Sequence, residues 1–139
     1  MPRLVRFGVS LDGELSKKFD LLIGAKGYTN RSEAIRDLIR DELVKEEWTE
    51  TKEAVSGVIS LVYDHHKREL IDHLINIQHD HQKMIIASQH VHLDHDNCLE
   101  VVVIRGKADE IKNLASRLRS VKGVKHGELM MTTVGKDIK

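Results

Sequence analysis

Along residues 4–11, LVRFGVSL, the apolar Val5, Phe7, Val9 and Leu11 alternate with Arg6, Gly8 and Ser10. A period of two puts the apolar set on one face, so this segment is expected to be a half-buried strand. From Asp12 onward Leu15, Phe19 and Leu22 follow helical spacing, with Asp12 as N-cap and Gly27 ending the helix. Asn30-Arg31-Ser32-Glu33 has the form of a capping box, in which Asn30 accepts from a first-turn N–H and Glu33 reaches back. Ile35, Leu38, Ile39 and Leu43 then form the apolar stripe of a second helix. The polar stretch 46–54, EEWTETKEA, either ends that helix or links two domains.

Beyond it the pattern changes. Residues 55–64 read as a strand and 67–78 as a helix with Leu70, Ile71, Leu74 and Ile75 inward. Residues 84–93 read as a strand, 94–97 as a turn and 98–106 as another strand. A strongly amphipathic helix follows over 108–121 through Ile111, Leu114, Ala115, Leu118 and Val121, and 126–134 closes as a strand. The order βαββαβ is that of a ferredoxin-like sheet with both helices on one face.

One strand and two helices within residues 1–48 make a poor monomeric core, because a lone strand leaves both edges unpaired and so short a segment buries little surface. Two copies solve this by pairing their strands antiparallel, and such a two-stranded ribbon fits the major groove of DNA. The expected fold class is therefore α+β: a ribbon-helix-helix (βαα) domain over 1–48 for dimerisation and DNA binding, and a ferredoxin-like βαββαβ domain over 54–135.

Composition narrows the function. The chain is 40% hydrophobic and 32% charged, and its 22 basic and 22 acidic residues cancel, which argues against indiscriminate polyanion binding. A local footprint survives that objection, since residues 1–11 carry Arg3 and Arg6 and no acid. No run of about 18 apolar residues could span a membrane, and the first residues lack a signal-peptide core. The single cysteine, Cys98, has no intrachain partner for a disulfide. These features place the expected protein in the cytoplasm.

Eight of the nine histidines fall between His65 and His95. The most informative stretch is HVHLDHDNC, 90–98. His90 and His92 are two apart on an expected strand and leave it on one face, and Cys98 follows directly after the turn. Nitrogen and sulfur donors exclude magnesium and calcium and point to zinc, nickel, copper or cobalt. The spacing is not that of a structural zinc site built from CxxC pairs. His79, ending the preceding helix, is a candidate fourth ligand from the same or another chain. A square-planar centre of three imidazoles and a thiolate suits nickel(II) or copper(II).

The segments GYTNRSEAIRDLIR (27–40), YDHHKREL (63–70), Gln78-His79, HVHLDHDNCLE (90–100) and GVKHG (123–127), in this order along essentially the whole chain, resemble the NikR family of nickel-responsive ribbon-helix-helix repressors. The resemblance implies high-affinity nickel ligation by His90, His92 and Cys98 of one subunit and His79 of its neighbour, with Glu100 supporting the ligands through hydrogen bonds. It implies a homotetramer, a dimer of dimers, whose second domains are ACT-type. It places Arg6, Gly8 and Ser10 outward on the ribbon toward base edges, and Asn30, Arg31 and Ser32 at a helix N-terminus near phosphates. Gly8 departs from the threonine of better-known members, and glycine offers nothing to a base edge. Lys67 and Arg68 match positions that touch the DNA backbone. Glu33 and Asp37 match acids that bind a second cation, potassium, at the contact between domains; pairing with Arg36 and Arg40 is the plainer reading of those two. His65, His66, His73, His81, His95 and His126 are read chiefly as surface or supporting groups, although weaker metal sites at high nickel also occur in the family.

The expected function is thus a nickel-switched, sequence-specific repressor of nickel-uptake genes acting on operator DNA. A regulator answering to cobalt, zinc or copper is the near alternative. A metalloenzyme is the distant one, because the ligand set leaves no obvious open position and no carboxylate in 90–98 is placed as a general base.

Overall fold

The computed structural model describes residues 3–50 and 52–139; residues 1 and 2 of the expected first domain and Thr51 of the polar stretch lie outside them. The chain divides into two compact units, one ending at Ile39 and one running from Arg40 to Lys139.

In the first unit, helix α1 spans Gly13–Ala25, and helix α2 begins at Arg31 and continues to Glu50 in the second unit. Asp12 caps α1 by accepting from the Glu14 N–H at 2.9 Å. At its other end Gly27 has φ of +88°. Its N–H donates to Gly24 O at 3.1 Å, and the Tyr28 N–H donates to Ile23 O at 3.0 Å. This pair of bonds closes a Schellman turn, and the left-handed backbone it requires explains glycine at that position. Asn30 caps α2 by accepting from the Glu33 N–H at 2.9 Å. Half of the capping box therefore forms, while the Glu33 carboxylate is engaged by Arg36 instead of returning to Asn30.

Residues 3–12 carry no hydrogen-bonded element, where a strand was expected. A strand is defined by its pairing partner, and one chain supplies none. Leu15 and Leu22 of α1 and Leu38 and Ile39 of α2, expected to face inward, are exposed.

The second unit holds strand β1 (Ala54–Asp64), helix α3 (Arg68–Asp80), strands β2 (Ile85–His92) and β3 (Asn97–Lys107), helix α4 (Ala108–Arg119) and strand β4 (Val124–Thr132). All pairings are antiparallel, in the order β2-β3-β1-β4. This α+β arrangement is the ferredoxin-like order. One face of β1 and β3 is buried with α3 and α4 through Val55, Ile59, Leu61, Tyr63, Leu70, Leu74, Cys98, Val102, Ile104, Ile111, Leu114 and Leu118. Ile75, expected inward, is 56% exposed.

The polar stretch after residue 45 hides an anchor. Trp48 is buried, and its indole N–H donates to Thr132 O at 2.8 Å. A Cβ on Gly57 would meet Met130 O at 2.9 Å and the Trp48 ring at 3.3 Å, so glycine there makes room for the indole.

Candidate metal centre

The β2–β3 hairpin sets the centre. Its turn is held by Asp94, whose carboxylate accepts from the Asp96 N–H at 2.9 Å, from the Asn97 N–H at 2.7 Å and from the Asn97 side-chain amide at 3.0 and 3.1 Å. Asn97, through its side chain and then its backbone N–H, followed by the Asp96 N–H, lowers the Asp94 pKa to about 2. Fixing the turn fixes the register, and a slip of one residue would send every side chain to the other face. In the observed register His92 lies opposite Cys98 and His90 opposite Glu100. All four therefore project from the face that carries the helices.

The four differ in exposure. Cys98 and Glu100 are 1% and 2% exposed, on an interior strand. His90 and His92, on the edge strand β2, are exposed. His90 Nδ1 stands 4.0 Å from Cys98 Sγ and 3.4 Å from the Tyr63 hydroxyl, while its Nε2 is 3.6 Å from Glu100. Glu100 is satisfied by two donors, the Tyr63 O–H at 2.7 Å and the Gln78 amide at 2.8 Å. Burial, and then the Glu100 carboxylate, pushes the Tyr63 phenol up, so that hydroxyl remains a donor. The result is a thiol and an imidazole beside a buried, hydrogen-bonded carboxylate. That donor chemistry fits a borderline transition metal.

The structure brings His90 to Cys98 but turns the His92 ring elsewhere. That ring stacks on His65, with centroids 4.5 Å apart and planes 7° from parallel. His79, in the last turn of α3, lines a cleft of about 360 Å³ together with Tyr63, Ile75, Gln78, His90 and Glu100. Tyr63 is the site residue that sequence reasoning passed over: it reads as one more alternating apolar position of β1, and only its pairing with Cys98 reveals it. Gln78 was visible merely as the neighbour of His79.

The model described as the NikR C-terminal nickel-binding domain matches residues 56–132, and that of the ribbon-helix-helix proteins of the copG family matches 5–46. A protein of Nitratidesulfovibrio vulgaris bearing the name of a nickel-responsive regulator is 56% identical over 138 residues, 99% of each chain. The chain belongs to the NikR family. Similarly named proteins of Pyrococcus furiosus, 54% identical over 97% of this chain and 98% of theirs, and of Geobacter sulfurreducens, 55% identical over 99% of each, are further relatives. A solved structure of an uncharacterized Thermotoga maritima protein shares the fold over 58% of this chain and all of its own, with TM-score 0.53 and 13% identity.

In the ribbon-helix-helix segment of this NikR-family chain, Arg6, Gly8 and Ser10 are exposed, and a side chain at Gly8 would meet nothing within 4 Å. Ser32 is exposed beside the Asn30 cap. Arg31 is engaged within the unit, its guanidinium gripping Asp20 at 2.8 and 2.7 Å and reaching Ser16 at 3.4 Å. Asp37 accepts from the Tyr28 hydroxyl at 2.6 Å. Lys67 and Arg68 are exposed at the start of α3.

Proposed function

We propose that this NikR-family chain is a nickel-responsive, sequence-specific DNA-binding repressor of nickel-uptake genes, acting in the cytoplasm and not as an enzyme. The observation that carries the reading is the hairpin face shared by His90, His92 and Cys98, on which His90 Nδ1 stands 4.0 Å from Cys98 Sγ beside buried Glu100. The names of the relatives support nickel as the effector.

His90, His92 and Cys98 would hold nickel, with His79 of a neighbouring copy completing the set. When bound, the metal supplies a joint between strands and between chains. Glu100 holds the His90 side in place through its own bonds to Tyr63 and Gln78. A ligand set divided between copies makes metal affinity depend on the assembly, which supports a homotetramer, a dimer of dimers. The functional domains of this reading are 1–48 and 54–135, the second of ACT type.

On operator DNA, Arg6 and Ser10 reach base edges, while Gly8 lets the ribbon approach without reading a base. Asn30, Arg31 and Ser32 meet phosphate at the N-terminus of α2. Arg31 must leave Asp20 to do so, and solvent screens an exposed ion pair of this kind enough that it holds the guanidinium only weakly. Lys67 and Arg68 add contacts to the backbone. Potassium at Glu33 and Asp37 belongs to the same reading and must compete with Arg36 and Tyr28 for those carboxylates. Linkage requires DNA to tighten nickel binding by the factor with which nickel tightens DNA binding.

The test is a gel shift on the gene's own upstream region and on nickel-transporter promoters, with and without stoichiometric nickel, for wild type and Cys98→Ala. Binding that requires nickel and disappears in Cys98→Ala is expected. Equal binding by both proteins regardless of metal would remove nickel control, and a stronger response to cobalt, zinc or copper would reassign the effector.

A further inference from the structure

The guanidinium of Arg31, the first residue of α2, is held by side chains of α1. Its Nε donates to Asp20 Oδ1 at 2.8 Å and its Nη2 to Asp20 Oδ2 at 2.7 Å, two parallel bonds to one carboxylate. Nη2 also reaches Ser16 Oγ at 3.4 Å. Ser16 and Asp20 are four apart on α1 and share a face, so together they make a seat for the fork. The hydrogen bond from Arg31 lowers the Asp20 carboxyl below its ordinary value, and the same bond raises the guanidinium.

This seat imitates a phosphate. A carboxylate and a phosphate each meet a guanidinium fork through two parallel N–H···O bonds, and so they compete for the same edge. The position of Arg31 adds to the competition. The N-terminus of α2 carries the positive end of the helix dipole, which attracts anions and repels a cation placed there. Asp20 offsets that repulsion from the neighbouring helix. The two side chains, Arg31 and Asp20, are 61% and 47% exposed, so opening the pair strands no buried charge and water replaces each partner. An ion pair that is well aligned yet faces solvent suits an exchange of partners better than it suits stability.

We propose that Asp20 is an internal stand-in for DNA phosphate, a positioning residue that occupies Arg31 in the free protein and lowers its affinity for the DNA backbone. The proposal rests on the reading of Arg31 as a phosphate contact. Apparent affinity falls with the fraction of protein whose Arg31 is open, and a ribbon-helix-helix dimer meets that cost at two copies. Counterions give the device a signature. An arginine that reaches phosphate releases about 0.9 of a condensed cation. When it leaves Asp20 to do so, the freed carboxylate gathers a cation back and the net release shrinks. Removing the carboxylate should therefore help binding most at low salt, where screening is also least.

The test is a fluorescence-anisotropy titration of the full-length protein, with and without nickel, against labelled duplexes at about 50 to 200 mM salt, a range over which phosphate contacts show clearly. One duplex carries the gene's own upstream region and the other a scrambled sequence of the same length. Wild type, Asp20→Asn, Arg31→Ala and the double variant are compared. Asp20→Asn is expected to bind both duplexes more tightly than wild type, with a salt dependence steeper by up to about 0.9 for each Arg31 released. In the Arg31→Ala background the same change should do much less, since only long-range repulsion from DNA is left to relieve. Equal gains in the two backgrounds would reduce Asp20 to simple charge repulsion and overturn the proposal. Unchanged or weaker binding by Asp20→Asn would also overturn it, the weaker case showing that Asp20 aims Arg31 at DNA. Circular dichroism checks that each variant folds, and Asp20→Ser repeats the test with a different replacement. The scrambled duplex separates the two readings. Binding that ignores nickel and sequence would remove the regulatory function yet still report on Asp20, whereas nickel-dependent operator binding without an Asp20 effect would remove this proposal alone.

Discussion

From Arg40 onward the chain closes a core by itself: Val55, Ile59, Leu61, Val102, Ile104, Ile111, Leu114 and Leu118 are wholly buried. In the unit that ends at Ile39, the buried hydrophobics are Ile23 and Ala34, while Leu4, Val5, Phe7, Val9, Leu15, Leu21 and Leu22 stand between 54% and 77% exposed. Both units follow regular apolar periodicity, so pattern does not separate them. The number of layers does. The second unit lays two helices across a four-stranded sheet within one chain, whereas the first has two helices and an unpaired segment. So many large exposed apolar side chains in one small unit mark an interface, and membership of the ribbon-helix-helix proteins implies that another copy covers them.

The comparison can be broken most forcefully at Phe7. Phe7→Ala is expected to cost about 3–5 kcal/mol per chain of N-terminal dimer stability, the usual range for an aromatic removed from a core. Sedimentation should show weakened association, while the fluorescence transition of Trp48, the single tryptophan, stays near wild type. A Phe7→Ala protein that associates and melts normally would show that Phe7 is not part of an interface. The converse change, Leu114→Ala, should cost about 2–5 kcal/mol within one chain and lower the Trp48 transition.

Smaller effects sharpen the picture. Asn30→Ala removes the cap on α2 and should cost about 1 kcal/mol, read as a lower melting temperature; no change would mean that the first turn finds another acceptor. The weakest effect concerns Asp20. The hydrogen bond from Arg31 holds its carboxyl below the ordinary value of 3.8. A lowered folded-state pKa contributes stability that is complete above the ordinary carboxylate range and is lost as pH falls through the lowered value. Wild type should therefore melt slightly above Asp20→Asn near neutral pH, and the difference should vanish in acid. A difference that persists in acid would assign the effect to packing and not to charge.

The legible parts of this protein were the local ones. Asp12 and Asn30 announced helix starts, Gly27 a helix end, and alternation at 55–64 and 98–106 the central strands. HVHLDHDNC announced that His90 and His92 share a face, the one that carries Cys98 and Glu100, because spacing on a strand determines sidedness. The extent of α2 was less legible: EEWTETKEA is polar enough to resemble a linker, yet Trp48 within it is buried against Gly57. Ile75 fits the apolar stripe of α3 but lines the open cleft beside His79, since a stripe does not say where the neighbouring layer stops.

The sequence by itself determined the order of elements from α1 onward, the two-part plan, the family and the ligand types available, because caps, periodicity and donor chemistry are properties of neighbouring residues. Only the tertiary structure decided that Tyr63 and Gln78 converge on buried Glu100, that His92 stacks on His65, and that His66 meets His95 and Asp96. Those meetings depend on strand register and on a turn closing against a distant segment. Both are set by the packing of the whole sheet, which no local pattern encodes.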